Sequence, residues 1–267
     1  LTLYTGKFLT PIGTFQERYH PDWINRAVNK PIGFGKKVNG LKRLQSGSEV
    51  GLGVRGALFV GNGKVNYNFF VSNGAMLDSL DGSLVYDNLL DNNGNKAIGG
   101  RIGLQPFAGS PFELGVSGYT AKVGNEGGKY EDASAGIFAV DLNYVKSFSG
   151  AGKLDVKGQY QTLNVSPTTY EDGLTLDNTT SAWYAQVAYQ LPAPAEGATW
   201  LGNVELVARY ANLDVPDGAP WGADQSRITL GANYWIRWNA AVKLGVDIVQ
   251  GDDETETGFT AVFTMGF

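Results

Sequence analysis

The chain has no cysteine, which removes disulfides, thiolate catalysis and cysteine metal sites together. It has one histidine, His20, so the general base that side-chain hydrolases need has one candidate. That residue sits before Pro21 with no nucleophile spaced around it, and it reads as structural. No stretch approaches the roughly 20 consecutive apolar residues of a membrane-spanning helix, which excludes helical membrane proteins and leaves barrels open. The formal net charge of -5 is the wrong sign for a nucleic-acid partner. No phosphate-cradling or dinucleotide glycine motif is present. The faintly calcium-like Asp91-Asn92-Asn93-Gly94-Asn95 lacks a closing glutamate and reads as a turn. These absences predict a protein that is not an enzyme and has neither cofactor nor metal.

What is plentiful is glycine (37) and aromatics, with 13 Tyr, 13 Phe and 6 Trp. Period-two alternation, the mark of a strand with two different faces, recurs from end to end. Val65, Tyr67, Phe69 and Val71 alternate with Asn66 and Asn68, for example, and Val204, Leu206, Ala208 and Tyr210 with Glu205 and Arg209. With the opening and closing segments the count is about twelve strands and no long helix. Tight connectors such as Gly61-Asn62-Gly63 and Asn239-Ala240 alternate with long polar ones at 10–45, 73–95, 124–133, 166–179, 214–224 and 251–257. That rhythm predicts an all-β, transmembrane antiparallel up-and-down β-barrel, one domain over 1–267, with short periplasmic turns and longer outer loops. A soluble sandwich or lipocalin-like barrel also has alternating strands. Repeated full charges on the polar face and the strand count weigh against it; a lumen of that size is expected to be wet. Tyr67, Tyr144, Tyr160, Tyr189, Tyr210, Trp200 and Trp238 sit near strand ends, where amphipathic rings prefer the membrane interfaces.

The connector at 10–45 is too long for a simple turn, and such loops are usually functional or disordered. It carries Arg18, Arg26, Lys30, Lys36, Lys37, Lys42 and Arg43 against Glu17 and Asp22, and His20 to Arg26 could start a short helix with Asp22 near its N-terminus. Folded inward, it would narrow the pore beside Arg55, Arg101, Lys157, Arg209, Arg227, Arg237 and Lys243 on the inner face. Rings of Arg and Lys favour anions. Glu49, Glu113, Asp141, Asp155, Glu205 and Asp247 also point inward, so mild anion preference and mutual pairing without strong selectivity both stay open. The connectors holding Asp78, Asp81, Asp87 and Asp91, and Asp252, Asp253, Glu254 and Glu256, read as solvated rims; a cation bridge to lipopolysaccharide is the sharper alternative.

The last strand places Phe259, Ala261, Phe263, Met265 and Phe267 on one face. An alternating final strand ending in phenylalanine resembles the C-terminal signature of bacterial outer-membrane proteins, which implies recognition by the barrel-assembly machinery in a Gram-negative outer membrane. Near the start, Gly6-Lys7-Phe8 followed by Thr10-Pro11-Ile12-Gly13 resembles a segment of the phosphate-selective porin O and P family. That resemblance covers about a tenth of the chain. It implies a sixteen-stranded trimeric porin whose inward loop and basic residues, Lys7 among the candidates, guide anions. The chain opens on Leu1, which reads as a processed or truncated end, so sixteen strands would need more sequence upstream. The expected function is a water-filled channel for ions and small hydrophilic solutes, in contact with outer-membrane lipid and lipopolysaccharide. The alternative is a structural barrel sheathing a partner such as a cytochrome.

Overall fold

The computed structural model describes residues 1–35, 44, 47–78, 84–86, 90–169, 175–219, 222–251 and 254–266. Lys36, Lys37, Lys42, Arg43, Asp81, Asp87, Asp252, Asp253 and Phe267 lie outside the described residues. Among the described residues fourteen strands are formed: β1 (Thr2–Leu9), β2 (Ser48–Val60), β3 (Gly63–Ser72), β4 (Met76–Leu77), β5 (Leu84–Val85), β6 (Ala97–Gln105), β7 (Phe112–Lys122), β8 (Ser134–Phe148), β9 (Gly152–Thr169), β10 (Thr175–Gln190), β11 (Val204–Asp214), β12 (Gln225–Arg237), β13 (Ala240–Gln250) and β14 (Thr255–Met265). Twelve of them make one antiparallel sheet in chain order, with β4 and β5 paired apart as a hairpin in the β3–β6 connector. Among the described residues β1 pairs with β2 and β14 with β13, so β1 and β14 are the end strands of the sheet order.

Each ladder keeps apolar side chains together because paired residues share a face. Leu52, Phe69, Ile98, Leu206, Leu230 and Phe259 are all exposed on the outer face. On β14, Phe259, Ala261, Phe263 and Met265 pair with Val246, Leu244, Val242 and Ala240, so the closing strand presents its apolar row to lipid. Trp183 and Tyr210 lie 5.1 Å apart on that face, and beyond them toward the long loops the outer positions become polar: Thr162, Asn164, Ser181, Asn212 and Asp214. This is the change from hydrocarbon to headgroup that an aromatic belt marks.

Three details differ from expectation. Within 166–179, residues 166–169 continue β9 and 175–179 belong to β10, with a bulge between Leu176 and Asn178; the threonines there suit an extended backbone. The helical turn of the long connector lies at Phe15–Tyr19, a single π-helical turn, not over His20 to Arg26. There the chain makes one turn in which Ile24 N and Asn25 N both donate to Pro21 O at 2.9 Å. Finally, part of the interior toward the long loops is packed with apolar side chains of the connector. Ile12, Phe15, Phe34 and Leu44 of the connector are buried against inward Ala121, Ala135, Ala139, Ala182 and Ala211 in one apolar cluster. Small side chains on the wall leave the space that the connector fills.

Candidate functional site

The connector's path can be followed through its wall contacts. Gly13 N donates to Ser117 Oγ at 2.9 Å, and Thr14 N and Phe15 N both donate to Gln159 Oε1 at 3.0 Å. Further on, Arg18 reaches Glu113 near the start of β7, and Trp23 stands edge-on to Trp238 beside the β12–β13 turn. The chain then returns. Lys243 Nζ donates to Asp22 O at 2.6 Å and also to Asn25 O. Asn29 donates to Asp247 Oδ2, and the Lys30 carbonyl accepts from Arg227. One connector therefore touches β7, β9, β11, β12 and β13, which requires the sheet to curl around it. It descends from the long-loop end to the short-turn rim and climbs back.

Charges inside the curled sheet are grouped in networks. Arg101 donates Nε and Nη2 to Asp141 at 2.8 and 2.7 Å and Nη2 to Glu113 at 2.8 Å, and Arg18 also bonds Glu113 at 3.1 Å. Lys157 holds Asp155 with 2.6 and 2.7 Å contacts. Arg26 lies 3.5 Å from both Asp155 and Glu205 and 4.8 Å from the Trp235 ring centre. Asn233 and Trp235 also donate to Glu205. Arg209 is held by Gln186, Asn25 and the Asn29 carbonyl. Glu49 accepts from Ser72 Oγ. Buried charges of this kind are tolerable only with partners, since an isolated one costs several kcal/mol in desolvation.

Most expected inner-face residues are thus gathered around the connector: Arg18, Arg26, Arg101, Lys157, Arg209, Arg227, Lys243 and the carboxylates Glu49, Glu113, Asp141, Asp155, Glu205 and Asp247. Lys7 is not among them. It pairs with Val50 and shares the outer face with Leu1, Leu3 and Leu9, whereas Tyr4 and Phe8 point inward toward Asn68 and Phe70. Arg237 is exposed at the rim, beyond the register shift that follows Trp235. The amides Gln159, Gln186, Asn25 and Asn29 were missed; Gln159 and Gln186 occupy inward positions of their strands, which is the signal that marks them.

On the connector, burial pushes the Tyr19 hydroxyl up to about 12. Burial also lowers His20 below its ordinary value, against the Gln16 carbonyl, which accepts from His20 Nδ1 at 2.6 Å. Between the connector and the β2–β3–β6–β7 wall lies a cavity of about 630 Å³, lined by Glu17, Arg18, Arg55, Lys64, Asn68 and Arg101 among others.

The sequence model of the phosphate-selective porin O and P family matches residues 108–264, and the chain belongs to that family. The anion-selective porin from Comamonas acidovorans superposes with a TM-score of 0.54 at 13% identity, covering 98% of this chain and 69% of that one. The outer membrane channel DcaP of Acinetobacter baumannii gives 0.55 at 10% identity, over 97% of this chain and 68% of that one. No curated protein matches the sequence. Family and fold together place the protein in the bacterial outer membrane, as a porin-type channel.

Proposed function

We propose that this member of the phosphate-selective porin O and P family is a passive channel for small hydrophilic solutes and ions with a mild anion preference, constricted by the connector at 10–45. One observation carries the anion preference. Glu113, Asp141, Asp155, Glu205 and Asp247 all have a cationic neighbour. Arg55, Arg209 and Lys243 have no carboxylate partner within ion-pair distance among the described residues. Arg209 and Lys243 are buried against the connector, whereas Arg55 and Lys64 face the cavity with Glu17 as the one unpaired carboxylate there among the described residues, so the free charge is net positive, which lowers the barrier for anions. The Comamonas porin is anion-selective and the matched family is named for phosphate selectivity, and both support this reading.

Sheathing a cytochrome is less well supported, because the chain's own connector occupies the interior. A trimer, implied by the family, belongs to the same reading and is checked by chemical cross-linking in detergent. The channel itself is tested in planar bilayers, where purified, folded protein is expected to give discrete conductance steps in potassium chloride. Folded protein that never conducts would overturn the proposal.

A further inference from the structure

The cavity beside the connector is lined by two cations, Arg55 and Lys64, and one carboxylate, Glu17, that form no ion pair among the described residues. Arg55, on the inner face of β2, lies 5.9 Å from the Tyr4 ring centre and forms no ion pair among the described residues. Across from it, Glu17 of the connector accepts one hydrogen bond, 3.0 Å from Asn68 Nδ2. The two are joined by a short relay: Tyr4 Oη donates to Asn68 Oδ1 at 2.6 Å, and the Asn68 amide then donates to Glu17. This relay fixes the Asn68 amide and with it the carboxylate. Arg18 and Arg101 face the same cavity, but both are bonded to Glu113. A solute entering the space therefore meets a guanidinium on the β2 wall and a carboxylate on the connector, neither of them in an ion pair among the described residues.

We infer that this cavity favours small zwitterions, molecules that carry a carboxylate and an ammonium group, over simple anions or cations of equal size. The inference rests on the channel reading above and adds a substrate class to it. Arg55 has the planar donor fork that suits a carboxylate, and Glu17 accepts from an ammonium group. A zwitterion gains both contacts, and a monovalent ion gains one while meeting the opposite charge unscreened.

The test is permeation into liposomes carrying wild type, Glu17→Gln or Arg55→Gln, with glycine, acetate and methylammonium as probes and folding of each variant confirmed by heat-modifiable gel mobility. Wild type is expected to pass glycine faster than either ion. Glu17→Gln is expected to lower the glycine-to-acetate rate ratio about fivefold, the effect of losing one charge-assisted contact. Arg55→Gln should slow glycine and acetate alike, leaving methylammonium as fast or faster. A ratio that does not change in Glu17→Gln would overturn the inference while leaving the channel standing. Absence of permeation by every probe in wild type would instead overturn the channel reading on which it rests.

Discussion

Trp23 stands edge-on to Trp238, with ring centres 5.9 Å apart and planes at 80°. One ring belongs to a connector that leaves β1 at the long-loop end; the other sits at the short turn after β12. Their contact ties the connector's tip to the far rim, and Trp23 also packs close to Gly266, after β14.

Removing that anchor should loosen the tip without unfolding the wall. Trp23→Ala is expected to cost about 1 kcal/mol from the lost ring pair and to make single-channel currents noisier. A quiet pore with an unchanged urea midpoint would show that the tip is held elsewhere.

Gln159 accepts two buried backbone amides of the connector through one oxygen. Gln159→Leu leaves both donors unsatisfied, at about 1 to 3 kcal/mol each. Limited proteolysis should then cut the connector between Thr14 and Arg26, where the wild type resists. Gln159→Glu keeps an acceptor at the same place and is expected to retain most of that protection.

Arg101 is buried with Asp141 and Glu113. Arg101→Leu strands Asp141 and should destabilise the barrel by about 3 to 5 kcal/mol, as removal of one partner of a buried pair does. Adding Asp141→Leu is expected to recover a large part of the loss, measured as urea midpoints in lipid vesicles.

His20 sets a pH dependence whose sign follows from its lowered folded-state value. The unfolded chain binds the proton more readily, so the contribution is complete above the unfolded value of 6.5 and is lost as pH falls from there through the lower folded value. Stability of the wild type should thus decline between neutral and mildly acidic pH, and His20→Gln should flatten that part of the profile.

Much of the architecture is legible in the sequence because a strand writes its two faces into every second residue. Phe259, Phe263 and Met265 show their shared face by spacing alone, and the long and short connectors mark the two ends of the barrel. The face of a single short strand is harder. Lys7 belongs with Leu1 and Leu3, a pattern visible in β1, yet the strand's inward aromatics Tyr4 and Phe8 reverse the usual sense of apolar-out. The connector is the least legible part. Ile12, Phe15, Phe34 and Leu44 have no period of their own, and they are buried because Ala121, Ala139, Ala182 and Ala211, distant in sequence, leave a hollow in the wall. Pairings such as Arg26 with Asp155 and Glu205 depend on that seating and on nothing local.

The central claim is that unpaired cations inside the wall bias a conducting pore toward anions. The most direct measurement is the reversal potential across a potassium chloride gradient, for wild type and for Arg55→Gln combined with Lys64→Gln, with Lys7→Gln as an outer-face control. The account predicts a chloride-preferring potential that moves toward zero in the double variant and stays put in the control. A cation-preferring wild type, or a shift produced by Lys7→Gln alone, would contradict it.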